Sequence, residues 1–264
     1  MNIVFWSFLP GVSNVSSTAL VTSILTATAF RVKCSVLQLH QKDNLLTRPI
    51  LFDDLNDSTF GDNGIDALIR CVSSGKAEAA DIEDSCFSFI EQRYNVFTPT
   101  TIKDEHIYKD NMLRVMDKIF ESLNKTFKIN FIDVPAGDNP YSRKALGLAD
   151  YIVVCLPQSD FHIERILKAV NLPKDKTFYF ITDFDGTQHL SKRNIMWKYK
   201  DYLNNNNCAV IPHSSGLADG INTNKIIAFI AENVNSKKTD KNFEFINNTK
   251  KSVGRMLKFM KWRE

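Results

Sequence analysis

Phe8-Leu9-Pro10-Gly11-Val12-Ser13-Asn14-Val15-Ser16-Ser17-Thr18 is the stretch on which the reading of this chain turns. It follows a short apolar run, Ile3–Trp6, and leads into a segment of helical character, Thr18 to Phe30. A turn between a buried strand and a helix is where a phosphate-binding loop sits, with the pattern Gly, four residues, then Gly-Lys-Ser/Thr. Glycines let backbone N–H groups close on phosphate oxygens at the helix N-terminus, and the lysine adds charge. Here Gly11 and Thr18 stand at the first and last positions, Ser16 replaces the second glycine and Ser17 replaces the lysine. The frame is kept and its charge is gone. A plain Ser/Gly turn is the competing reading of residues 9–17.

The chain has 264 residues and 44% apolar content, enough for one substantial α/β core. No apolar run reaches the roughly 18–20 residues of a membrane span, and no basic segment precedes an apolar one at the N-terminus, so no signal peptide is expected. The five cysteines (34, 71, 86, 155 and 208) show no CxxC spacing. Buried, inert thiols in a reducing cytoplasm are expected, with neither a zinc site nor disulfides. Charge is uneven: residues 235–264 carry nine Lys/Arg against three Asp/Glu, so the first 234 are mildly acidic and the tail is basic. That argues for a local electrostatic role of the tail and against a nucleic-acid surface over the body.

Beyond the loop, apolar strands are expected at Cys34–Leu39, Phe127–Val134, Tyr151–Leu156, Thr177–Ile181 and Ala209–Ile211, with an extended segment at Phe87–Thr98 closed by Pro99. Helices are expected at Ile65–Val72, Met112–Leu123, Phe161–Val170, Lys192–Leu203 and Thr223–Asn233, and residues 41–56 read as loop. Strands apolar on both faces and alternating with helices predict a doubly wound, mostly parallel sheet with helices on both faces. One domain is expected over 1–234, then a polar linker and a last helix from about Phe243 to Trp262 within 235–264.

The strand ending in Asp133, the run Asp133-Val134-Pro135-Ala136-Gly137 and the later Ala149-Asp150 pair, taken with the loop, resemble the ParA/MinD family of P-loop ATPases. The resemblance spans residues 1–234 and implies that fold, with Mg-ATP as cofactor and a homodimer as the working form. It implies a nucleotide site at Gly11, Ser13, Asn14, Val15, Ser16, Ser17, Thr18, Asp133, Gly137, Thr182 and Pro212, with Thr18 and Asp133 as the magnesium-side groups if Mg-nucleotide binds. The family's two loop lysines fall at Val12 and Ser17, and His40 stands where the family has a switch aspartate. Thr182 replaces an adenine-reading Asn, while Pro212-His213 matches a loop that packs on the base. The loss of both lysines and the switch aspartate implies no catalytic residues and a non-hydrolysing member. TadZ-like proteins, which position pilus-assembly machinery at a cell pole, are of this kind. Protein partners in a bacterial assembly system are then expected. An atypical Mg-ATP-binding ATPase acting in partitioning is the alternative.

The tail places Ile246, Val253, Met256, Leu257 and Met260 on one helical stripe with lysines and Arg255 on its flanks. Phe259 and Trp262 fall off that stripe. It resembles the amphipathic tail of MinD-type proteins, which implies that Val253, Met256, Leu257, Phe259, Met260 and Trp262 touch an anionic membrane or a partner, and a cytoplasmic protein peripheral at the inner membrane face. Docking of the same stripe on the body is the other reading. The basic, aromatic segment Ser191–Lys200 reads as a solvated helix face more readily than as a nucleic-acid contact.

Overall fold

The computed structural model describes residues 1–41, 46–50, 63–75 and 77–262. Apolar alternation builds the sheet. Strands β1 (Asn2–Trp6), β2 (Cys34–Gln38), β3 (Phe87–Phe89), β4 (Tyr94–Val96), β5 (Ile129–Asp133), β6 (Tyr151–Pro157), β7 (Thr177–Phe184) and β8 (Cys208–Pro212) form one sheet in the order β3-β4-β2-β5-β1-β6-β7-β8. The described pairings are parallel except β3 with β4. In β1, Val4 and Trp6 enter one core and Ile3 and Phe5 the other, so the strand is buried on both faces.

Two helical layers cover the sheet. One face carries α1 (Val15–Ala29), α8 (Ser215–Asn222), α9 (Ile226–Asn233) and α10 (Phe243–Phe259). The other carries α2 (Ile65–Ser73), α3 (Ala79–Asp84), α4 (Glu105–Thr126), α5 (Pro140–Leu148), α6 (Asp160–Ala169) and α7 (Lys192–Lys198). The doubly wound α/β fold predicted above is the fold observed. Helix α1 is buried nearly all round, and its Thr22, Ser23, Thr26 and Thr28 hydroxyls donate to carbonyls of the preceding turn. That local bond is what lets hydroxyl residues fill a core helix. At the N-terminal ends of the strands, Ser35, Asn130 and Asn2 form a buried hydrogen-bonded chain across β2, β5 and β1.

Several expectations change. The segment 87–98 is a hairpin, turned by Ile90, Glu91 and Gln92, all with φ between 54° and 63° and none of them glycine. Helices α3 and α5 were not foreseen. α4 starts seven residues earlier than expected, because Asp104 caps it by accepting from the His106 and Ile107 N–H groups. Helix α8 was not foreseen either, and the helix expected over 223–233 begins only at Ile226, after the left-handed Asn224 (φ 56°) that separates α8 from α9. Of the loop expected over 41–56, residues 42–45 and 51–56 lie outside the described residues.

The largest correction concerns the tail. Val253, Met256, Leu257 and Met260 are 0–3% exposed, packed with α1 and the sheet in one core. Phe259 stacks edge-on to Tyr151 and tilts against Phe178, and Trp262 packs partly buried on the same cluster. The Ser252 hydroxyl donates to the Val210 carbonyl and Arg255 to that of Cys208. These side chains are consumed by the domain's own core, so they offer no free apolar face to a membrane or partner. The tail is the last layer of the fold. Its outward face is basic, with Lys251, Lys258 and Lys261 exposed. Among the described residues no helix is long and apolar enough to cross a membrane.

Met256→Ala should lower the free energy of unfolding by about 2–5 kcal/mol in urea titrations, whereas Lys258→Ala on the outer face should stay within about 0.5 kcal/mol. Cys71 is partly exposed and the other four thiols are buried. Burial pushes Cys86 and Cys208 up to about 12, and Cys34 and Cys155 higher still. A thiol reagent should therefore label Cys71 alone in the native protein and all five cysteines in denaturant.

Candidate functional site

The loop after β1 lies at the C-terminal ends of β1 and β5, where an open α/β sheet places its ligands. Neighbours hold it in shape. Ser7 and Ser13 share a hydrogen bond of 2.8 Å between their hydroxyls, and the Gly137 N–H donates to the Ser7 carbonyl. Trp6 Nε1 in turn donates to the Gly137 carbonyl. Gly137 has φ 90° and Gly11 φ 73°, values that glycine adopts without strain. The loop ends at Asn14, whose left-handed backbone (φ 46°) begins α1 with no side-chain cap and no acidic residue in the first turn. The first N–H groups of α1 thus face the loop without a partner inside the helix.

The helix starts at Val15, three residues ahead of the sequence expectation, and this shifts the chemistry. The hydroxyl that meets Asp133 is that of Ser16, donating to Oδ2 at 2.5 Å. Thr18 lies further along α1, 2% exposed and beside the Cys155 thiol. Ser16, and not Thr18, is therefore the hydroxyl at Asp133, and Val15 is the residue before it. The register was misjudged because a run of Ser-Ser-Thr offers three hydroxyls and no lysine to fix which one counts.

Asp133 is 1% exposed, and a second group reaches the same oxygen: His40 Nε2 at 3.3 Å. The tautomer follows from geometry. Gln38 Nε2 donates to the His40 carbonyl at 3.0 Å, which identifies that amide atom as the nitrogen, and it also lies 3.1 Å from His40 Nδ1. Nδ1 therefore accepts, and the ring hydrogen sits on Nε2, pointing at Asp133. Two donors converge on one carboxylate oxygen.

A cavity of about 630 Å³ opens in front of this cluster. Of the residues expected at a nucleotide site, Gly11, Ser13, Asn14, Val15, Ser16, Ser17 and Asp133 line it. Thr18, Gly137, Thr182 and Pro212 do not. Thr182 is 1% exposed and its hydroxyl points at the Ser13 carbonyl (3.0 Å) and the Leu156 carbonyl (3.2 Å), so it ties the loop to β7 and does not read a base. The opposite wall was missed: Glu105, Tyr108 and Lys109 from α4, with Asn139 and Tyr141 at the start of α5. Glu105 and Lys109, spaced i,i+4, are paired at 2.6 Å.

Mg-nucleotide, the cofactor implied by the resemblance, can be tested against these groups. Ser16 and Asp133 are hard oxygen donors of the right kind for magnesium. The carboxylate oxygen, however, already takes hydrogens from Ser16 and His40, and residues 7–18 contain no lysine or arginine. Among the described lining residues the lysine is Lys109, on the far wall and held by Glu105. The set does not fit Mg-ATP. Ser16→Ala should cost about 1–3 kcal/mol of stability, as expected for a bond to a buried carboxylate, and Thr18→Val distinctly less, in paired urea denaturations.

No family model matches the chain, and no curated protein sequence matches it either. Solved structures do. A ParA family ATPase from Chlorobium tepidum TLS superposes with a TM-score of 0.70 at 9% identity, over 96% of this chain and 98% of that one. The septum site-determining protein MinD complexed with Mg-ADP, from Pyrococcus horikoshii OT3, gives 0.66 at 14% identity, over 98% of each chain. The MinC:MinD cell division protein complex of Aquifex aeolicus gives 0.63 at 14%, over 97% and 95%. Identities this low with coverage this complete speak for architecture alone: the chain has the ParA/MinD-type P-loop ATPase fold.

Proposed function

We propose that this protein is a spatial or assembly factor that uses a ParA/MinD-type fold without hydrolysing ATP. The observation that carries the reading is the cluster at Asp133, where the Ser16 hydroxyl and the His40 N–H occupy the oxygen a metal would need. Hydrolysis of a triphosphate depends almost wholly on positioning and charge neutralisation. A loop without lysine or arginine supplies neither. The solved relatives support the coarser part of the reading, since their names tie this fold to cell division and ParA-type ATPases.

The finer part is that the chain acts by contact. It pairs with a second copy and docks protein partners of a bacterial assembly system, in the manner of TadZ-like proteins at a cell pole. The basic outer face of the tail, with Lys251 and Lys258 on α10 and Lys261 just after it, suits an acidic partner surface. The exposed Trp197 on α7, 79% accessible beside Lys198, offers a second anchor of the kind that dominates interfaces. In this role the protein works in the cytoplasm, and its tail does not insert into lipid.

Purified full-length protein, given ATP and magnesium, should release no phosphate in proportion to the protein added. Steady release that scales with protein and disappears in Ser16→Ala would show an atypical ATPase instead.

A further inference from the structure

We propose that a cleft under the last turn of α6 binds a small carboxylate carrying a single ring. This cleft shares no lining residue with the cavity at Asp133 and is independent of how that site is read. The sheet side is lined by Trp6 of β1, Val154 of β6 and Tyr179 of β7. Ile166 and Leu167 of α6, with Leu172 beyond it, supply the apolar wall opposite. The volume is about 210 Å³. Drug-sized sites have roughly 300–1,000 Å³, whereas a dry apolar cavity of about 150 Å³ already takes a benzene-sized ring. One ring with a short polar group is the occupant that matches this space.

Two groups set the polar end. Tyr179 is 6% exposed, and among the described residues its hydroxyl has no hydrogen-bond partner. Its oxygen is not sealed off, and for a side chain so nearly buried the opening is the cleft that it lines. Burial pushes this phenol up to about 12, so it stays a donor at neutral pH. Buried hydroxyls nearly always have a partner in folded proteins, and an acceptor in the cleft would supply one. The second group is Lys174, which lines the cleft, is exposed and forms no ion pair among the described residues. Lys168 also lines it but is bridged to Glu164 at 2.5 Å. The carbonyls that end α6 carry about half a negative charge, which does not cancel the Lys174 ammonium. One phenol donor and one ammonium match a singly charged carboxylate, and a doubly charged phosphate would call for more donors.

Binding at this place can be read from the Trp6 indole N–H signal in nitrogen-15 NMR, because Trp6 lines the cleft and its Nε1 is held on the Gly137 carbonyl. The full chain is titrated with benzoate, benzamide, benzylammonium and acetate. Benzoate should shift the signal saturably within tens of millimolar. Benzamide and acetate should bind about tenfold more weakly, since the first lacks the charge and the second the ring. Benzylammonium should not bind. Tyr179→Phe keeps the ring and removes one unpartnered hydroxyl, so its thermal unfolding should match the parent while benzoate binding weakens about tenfold. Lys174→Met, on the surface, should weaken benzoate and leave benzamide unchanged. The proposal fails if benzoate leaves the Trp6 signal unmoved, if benzamide or benzylammonium binds as tightly, or if Tyr179→Phe keeps the parent's affinity.

Discussion

A carboxylate buried at the end of a parallel strand must be met by donors, and the arrangement around Asp133 is this protein's answer. Leaving such a group unpaired costs several kcal/mol, so whatever faces it is held firmly. In this chain the donors are side chains from two other elements, Ser16 at the head of α1 and His40 just past β2. Together they fix the entry of α1, the exit of β2 and the end of β5 with respect to one another. The loop before α1 is then pinned from its other side by Thr182. What results is a mouth to the cavity held by hydrogen bonds between side chains of separate elements.

The same economy of contacts explains the tail. An amphipathic helix has one apolar stripe, and α10 spends it on the sheet beside α1. Its packing covers β8, which would otherwise leave Ala209 and Ile211 open. The helix therefore belongs to the stability of the domain, while its lysines remain outside for electrostatic contacts. A tail built this way can carry charge to a partner without leaving the fold.

Much of this was legible in the residues. The alternation of apolar strands and helices gave the sheet, and the strand ending in Asp133 gave the position of the site. Of the loop residues expected at the site, Gly11 and Ser13 to Ser17 line one cavity. The register of the loop was not legible, because a lysine normally marks it and Ser16, Ser17 and Thr18 are chemically alike. Nor was the far wall: Tyr108 and Tyr141 come from helices whose apolar spacing looks like plain core, and only the fold turns both toward the same space. The hairpin at Ile90–Gln92 was hidden for another reason, since it bends through three left-handed residues with no glycine, proline or asparagine to announce it. The stripe on α10 was visible, but periodicity states only that a face is apolar, never what covers it.

The central claim is that hydrogen bonds from Ser16 and His40 hold Asp133 in place of a metal, and nitrogen-15 NMR of the histidine rings tests it most directly. The account predicts that His40 shows the tautomer with its hydrogen on Nε2 and that millimolar magnesium with ATP leaves its signals unmoved. A His40 ring hydrogen on Nδ1, or signals that shift together with Mg-ATP and return when the metal is chelated, would contradict it.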